Sequence, residues 1–139
     1  MKTLVVLSAL LFACSMMMFC QTPDWQGVEK VFGKKGMQQG DMYKITFPRT
    51  DLRVKVGEVL VEPALALTSW MAFKPMEHDV MVMGDMVLLD SEIAPATQKL
   101  IANGLEVSAL HNHIVGETPS IMYMHFGGHG EAVKLAEKM

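Results

Sequence analysis

The chain has 139 residues, with 12 Lys and Arg against 15 Asp and Glu, so its formal net charge is −3. This length suits one domain with a modest core. The basic residues form no block and do not outnumber the acidic ones, which makes nucleic acid a poor partner. We therefore expect a single globular domain that does not bind nucleic acid.

The N-terminus carries the pattern of an export signal. Lys2 precedes an apolar run from Leu4 to Phe12. A short charged region followed by a hydrophobic segment of about 7–15 residues is typical of a secretory signal peptide. Residues 1–20 are predicted to be this signal and residues 22–139 to be the folded domain. The protein is then expected outside the cytoplasm, either periplasmic or secreted.

Two routes of signal cleavage stay open. The segment Leu11–Cys14 resembles a lipobox, in which Cys14 would become a lipidated first residue and the only membrane anchor. Cleavage near Cys20 by an ordinary signal peptidase is the alternative. Because both cysteines lie near this boundary, no disulfide is expected across the fold.

The folded part is predicted to begin with a helix and to continue with strands. Thr22 and Asp24 suit a helix start, and Trp25, Val28 and Phe32 share one helical face. From Met42 the hydrophobic period changes to two, which is typical of strands. The strand-like segments are 43–47, 52–56, 59–61, 64–73, 80–83 and 86–89. Arg49 and Asp51 lie between the first two segments and are expected to form a solvated surface pair.

A second helix, two strands and a closing helix complete the predicted order. The helix follows Asp90 or Ser91 and reaches Ile101, and the strands are 105–113 and 121–126. The glycine-rich run 126–130 is expected to form a turn before a helix over about 130–138. Helices segregated from mainly antiparallel strands predict an α+β fold, with helices packed on one sheet in a compact single domain.

Several phrases occur in the order and spacing of one protein family. These are Phe47–Leu52, Trp70–Phe73, Met83–Leu88, Ala109–His113 and Tyr123–His125. With them the chain resembles the LppY/LpqO family of exported bacterial proteins over nearly its whole folded part. The resemblance implies no catalytic residues, because the function of that family is unknown. Relatives often look like two tandem copies, so the single copy here suggests a homodimer with a two-fold interface.

The stretch from Gly104 to Gly130 holds four of the five histidines. If 105–113 is a regular strand, Leu105, Val107, Ala109, His111 and His113 share one face, because side chains alternate. An apolar row would then end in two imidazoles about 6–7 Å apart along the strand, close enough for both to reach one ion. Glu117 in the following loop could add an oxygen ligand or a catalytic general base.

The register of the following strand decides which side chains join this pair, and the sequence leaves two registers open. Symmetric pairing puts Met122 opposite His111 and Met124 opposite Ala109, and gives a His/Met set suited to copper. A shift by one residue puts Tyr123 opposite His111 and His125 opposite Ala109, giving a His-rich set suited to zinc, manganese or iron. Each of these histidines, methionines and Tyr123 could instead have a purely structural role, and a methionine more often packs in a hydrophobic core than binds a metal.

Three functions follow from the histidine stretch. The first is an extracytoplasmic metal-binding domain built on His111, His113 and His125. If this domain is an enzyme, the most economical reaction is hydrolysis by a metal-activated water, with Glu117 as the general base. The second is a non-enzymatic domain that binds a small polar ligand or an envelope partner. The third is a purely structural histidine cluster. No Ser/His/Asp triad or reactive cysteine can be read from the chain.

Overall fold

A computed structural model describes residues 22–139 of the chain. The predicted signal, with Cys14 and Cys20, lies outside the described residues. In residues 22–139 none of the helices has both the length and the apolar character that crossing a membrane requires.

The described residues form three helices and nine strands. In chain order these are α1 Trp25–Phe32, β1 Met37–Gln39, β2 Met42–Pro48, β3 Lys55–Val56, β4 Val59–Leu60, β5 Thr68–Pro75, β6 Val80–Leu89, α2 Asp90–Ala102, β7 Glu106–His111, β8 Glu117–Thr118, β9 Ile121–Gly130 and α3 Ala132–Glu137.

Six strands form one antiparallel sheet in the order β1-β2-β5-β6-β9-β7. Helix α2 connects β6 to β7, and β9 then inserts between these two strands. This arrangement confirms the predicted α+β fold with a mainly antiparallel sheet. It also brings the histidine strand β9 next to β6, which is distant in the sequence.

One face of the sheet packs against the three helices. The core on this side contains Val28 of α1, Leu100 of α2 and Leu135 of α3, all at most 1% exposed, together with Ile45, Phe73, Val82, Met124 and Phe126 from the strands. Burial of these side chains provides the main stabilisation of the fold, at roughly 25 cal/mol per Å² of apolar surface. Helix α1 begins after Asp24, whose Oδ1 accepts the N–H of Gly27 at 2.9 Å.

The opposite face is covered only in part, by the small sheet β4-β3-β8 and the segments around it. A second, smaller core lies under this cover and contains Val54, Val61, Leu67, Val87, Ile121 and Tyr123. The part of the sheet beside this core carries the candidate site. The fold therefore separates a helix-covered packing face from a face that is free to carry polar side chains.

Arg49 is not the solvated surface residue that the sequence predicts. Its side chain is 17% exposed, and its guanidinium donates to Asp51, to Glu92 at the start of α2 and to the carbonyl of Val87 at 2.6 Å. Glu92 also accepts the N–H of Leu89 at 2.8 Å. The two carboxylates raise the pKa of Arg49, and Arg49 lowers the pKa of both. The network ties the turn after β2 to the first turn of α2.

Two expectations about glycine-containing segments differ from the structure. Segments 80–83 and 86–89 are one strand, β6, which runs through Gly84. A Cβ at Gly84 would overlap the Phe126 ring and lie 2.9 Å from the carbonyl oxygen of Trp70, so the glycine allows close strand packing. The predicted glycine turn at 126–130 is the last part of β9. At Gly128 a Cβ would lie 2.5 Å from Leu105 Cδ2, so the neighbouring side chain fills this space instead.

Candidate metal centre

A row of cross-strand neighbours forms the base of the site on the half-covered face. Trp70 of β5 pairs with Asp85 of β6, Asp85 pairs with His125 of β9, and His125 pairs with Ala109 of β7. Directly paired residues in a sheet point to the same face. The topology therefore brings an acid and an imidazole together from two adjacent strands.

A β-bulge in β7 turns His111 towards this row. The register shifts between Val107 and Ala109, which leaves Ser108 as the extra residue. Val107 packs against the helix-side core, whereas His111 pairs with Tyr123 on the other face. The prediction that Leu105, Val107, Ala109, His111 and His113 share one face is therefore wrong, because an inserted residue exchanges the two faces of a strand.

The structure adopts the second of the two open registers. Tyr123 lies opposite His111, and His125 lies opposite Ala109. Met124 points to the helix side, where it is fully buried and its Sδ lies 3.8 Å from the Thr97 hydroxyl. The His/Met combination suited to copper is consequently not formed between β7 and β9.

Three imidazoles meet above the row. His111, His113 and His125 each offer a ligand atom, and these atoms all lie within 4.8 Å of one another. The ring centroids are 4.8 Å apart for His111 and His113 and 4.9 Å apart for His111 and His125. His113 follows the end of β7 and stacks on the Tyr123 ring with centroids 3.6 Å apart, which positions a residue outside the sheet ladder. Such a cluster matches the three-histidine ligand sets of zinc sites.

Asp85 places a buried carboxylate beside this cluster. The residue is 7% exposed, its Oδ1 is buried without a hydrogen-bond partner in the described part of the chain, and it lies 3.9 Å from His125 Nε2. Burial raises the pKa of Asp85, while the charges of His125, His113 and His111 oppose the increase. A buried carboxylate oxygen without a hydrogen-bond partner is rare, and a cation bound beside it would compensate its burial. The donor set therefore fits a divalent cation.

Tyr123 supports the site from below. Its hydroxyl donates to the carbonyl of Ala66 at 3.1 Å, which holds the segment before β5 over the sheet. Burial raises the pKa of Tyr123, and the negative charges of Asp85 and Glu117 add to this increase. The Tyr123 hydroxyl therefore serves as the hydrogen-bond donor that attaches this segment to the sheet.

A cleft of about 220 Å³ opens next to Asp85 and His113. Segment 63–66 forms one wall, and Thr68, Trp70, Asp85, His113 and Tyr123 form the rest of the lining. Two members of the site, Asp85 and His113, therefore face both the imidazole cluster and a space large enough for a small molecule.

Comparison with known proteins identifies the family but no activity. The family model described as Domain of Unknown Function (DUF1259) matches residues 26–139. The chain belongs to this family. Searches of curated proteins and of solved structures found no match. Membership in DUF1259 agrees with the unknown-function domain that the sequence motifs indicate, and the matched range contains every residue of the site.

The remaining polar residues that the sequence singles out lie outside the imidazole group of this DUF1259 domain. Glu117 is in β8, where its Oε1 accepts the N–H of Ile121 at 3.4 Å, and its role as base stays a prediction. His129 lies near Asp79, with Nδ1 3.6 Å from Oδ2, and the His78 side chain is 71% exposed. Neither is among the clustered histidines.

Sequence reasoning missed Asp85 as a functional residue. The Gly84–Asp85 pair reads as an irregularity between two apolar segments, which directs attention to the glycine. A single acid within an otherwise apolar strand was the available signal, because a buried carboxylate needs a partner or an ion.

Proposed function

We propose that this domain binds one divalent transition-metal ion through His111, His113 and His125, with Asp85 as the carboxylate beside it. The observation that carries the proposal is the convergence of three imidazoles next to a buried carboxylate oxygen that has no hydrogen-bond partner within residues 22–139. Together the four side chains offer nitrogen and oxygen donors, which first-row divalent metals accept.

The ligand types fit zinc, manganese, iron or copper(II) rather than copper(I). Three imidazoles and one carboxylate provide no soft sulfur donor, which copper(I) prefers, and Met124 is buried in the core on the helix side. Imidazole suits zinc, copper and iron, and carboxylate oxygen extends the range to manganese. Metal loading should therefore be tested with all four divalent ions.

Hydrolysis is the reaction class that this site supports best. A divalent ion in such a site supplies Lewis acidity and lowers the pKa of a water molecule. Asp85 is placed to accept the proton that the attacking water loses, because its buried carboxylate lies beside the imidazole cluster, with Oδ1 3.9 Å from His125 Nε2. In this proposal Asp85 takes the role that the sequence assigns to Glu117.

A thermal-shift screen tests the metal proposal. We expect zinc, manganese or iron to raise the melting temperature of the wild type, since a ligand that binds only the folded state stabilises it. His111→Ala should lose this shift, and His129→Ala should keep it as the matched control, because His129 lies outside the cluster. An equal shift in both variants would contradict the proposal.

A second function is the binding of a small polar ligand without metal. The cleft of about 220 Å³ beside Asp85 and His113 favours it. The same screen separates the two functions: stabilisation by organic ligands in the presence of a chelator supports the second, and stabilisation by metals alone supports the first.

The family name and the location remain proposals as well. We propose that the DUF1259 domain is the one shared with the LppY/LpqO proteins, because the motifs that carry the resemblance lie within residues 26–139. We also propose export by residues 1–20. Fractionation of cells that express the full chain tests the export, since a substitution of Leu7 by Arg should retain the protein inside.

A further inference from the structure

The cleft beside the metal-facing side chains has an unusual charge pattern. Its lining includes the Asp85 carboxylate but neither a lysine nor an arginine. Lys44 approaches the same region, with Nζ 4.4 Å from the centroid of the Trp70 ring, yet it is not part of the lining. An anionic substituent against segment 63–66 would therefore lose hydration without gaining a lysine or arginine partner from the lining.

Both hydroxyl groups of the lining donate hydrogen bonds to the wall of the cleft formed by segment 63–66. Thr68 Oγ1 donates to the carbonyl of Pro63 at 2.9 Å, and the Tyr123 hydroxyl donates to the carbonyl of Ala66 at 3.1 Å. The backbone N–H of Leu67 also donates to the carbonyl of Pro63 at 3.0 Å. These bonds fix segment 63–66 as a preformed wall, so a ligand meets a shaped space rather than a loose loop.

The size of the cleft sets the size of the group that it accepts. A cavity of about 150 Å³ holds benzene, and this cleft measures about 220 Å³. Trp70 provides aromatic surface, and Leu65, which is 76% exposed, stands at the solvent side of the wall. The space therefore fits one ring with a small substituent.

Building on the proposed metal function, we propose that this cleft is the substrate subsite of the metal centre and selects an uncharged, ring-sized group. The substrate class is a neutral ester or amide whose carbonyl lies at the imidazole cluster and whose ring lies against Trp70. Leu65 and Trp70 are then specificity-determining residues, and neither takes part in metal binding.

Hydroxamates test the subsite because their head group binds metal while the attached group varies. The zinc content of the loaded protein is measured first, and dissociation constants for acetohydroxamate, benzohydroxamate and 4-carboxybenzohydroxamate are then measured by calorimetry. We expect benzohydroxamate to bind about tenfold more tightly than acetohydroxamate, because the ring buries more apolar surface. The carboxylated ring should bind about tenfold more weakly than benzohydroxamate.

Two variants assign these preferences to the cleft. Trp70→Leu should reduce the preference for benzohydroxamate over acetohydroxamate to about twofold, measured on protein whose zinc content equals that of the wild type. Leu65→Arg, at an exposed position, should bring the two ring probes to within about threefold of each other by supplying a cation. Val59→Arg is the matched control, since Val59 is 67% exposed and outside the lining, and it should behave as the wild type.

The outcomes separate this inference from the metal proposal. Bound zinc with equal affinities for acetohydroxamate and benzohydroxamate would overturn the subsite and leave the metal centre standing. An equal change in Leu65→Arg and Val59→Arg of the affinity ratio between benzohydroxamate and 4-carboxybenzohydroxamate would also overturn the subsite and leave the metal centre standing. A chain that binds none of zinc, manganese, iron and copper would overturn the metal function itself and the subsite with it.

Discussion

Asp85→Asn should stabilise the metal-free protein and weaken its response to metal. In the wild type, Oδ1 is buried without a hydrogen-bond partner among the described residues, and such a group costs about 1–3 kcal/mol. The amide keeps the shape of the side chain, and a neutral group costs less to bury than a carboxylate. We expect a gain of about 1 kcal/mol, which corresponds to roughly 4 °C in melting temperature for a domain of this size.

The sign of this effect should reverse when metal is present. Zinc at 100 times its dissociation constant would add about 2.7 kcal/mol to the stability of the wild type, and Asp85→Asn should retain only part of this gain. The assay is thermal unfolding of both proteins, first in a chelator and then at a series of zinc concentrations. Asp41→Asn is the control, because the Asp41 side chain is 71% exposed and its substitution should change stability by less than about 0.5 kcal/mol.

Two results would refute this reasoning. The first is a lower melting temperature of Asp85→Asn in the chelator, which would mean that the carboxylate stabilises the fold without any ion. The second is a zinc-induced shift of the same size in Asp85→Asn and in the wild type, which would remove Asp85 from the metal centre.

Three further predictions concern the scaffold. Arg49 lowers the pKa of Glu92, so Glu92 contributes stability above its unfolded pKa of about 4.3, and this stability is lost as pH falls through the lower folded pKa. Glu92→Gln should therefore flatten this part of the plot of unfolding free energy, measured in urea, against pH. An unchanged slope would contradict the prediction. Gly84→Ala should destabilise the domain by about 1–3 kcal/mol in chemical denaturation, because its Cβ would overlap Phe126; a neutral effect would show that β6 and β9 can separate. Tyr123→Phe should lower the free energy of unfolding by about 1 kcal/mol, because it removes the hydrogen bond to the carbonyl of Ala66. The same variant should speed amide hydrogen exchange in segment 63–67. Unchanged exchange would show that other contacts hold this wall of the cleft.

The fold class could be predicted from hydrophobic periodicity, whereas the glycine positions could not be interpreted. Periods of 3.6 and 2 indicate helices and strands, and the α+β prediction is confirmed. A glycine within a strand pattern looks like an interruption when only its neighbours in sequence are considered. In the structure Gly84 and Gly128 make room for Phe126 and Leu105, and these contacts depend on which strands become neighbours.

The candidate site was predictable in its histidines but not in its acid. Alternation and spacing single out His111, His113 and His125, and the structure brings all three together. Two long-range features decide the rest of the site. The bulge at Ser108 sets the face of His111, and the insertion of β9 beside β6 brings Asp85 to His125. Neither strand order nor a bulge is encoded in local periodicity.

The metal content of the purified protein tests the metal centre most directly. After loading with zinc, manganese or iron and removal of unbound ions, elemental analysis should find about one ion per chain in the wild type and in His129→Ala. His111→Ala and His125→Ala should each lose most of this metal, because both ligand atoms belong to the cluster within 4.8 Å. A wild-type chain without stoichiometric metal under every loading condition would contradict the account.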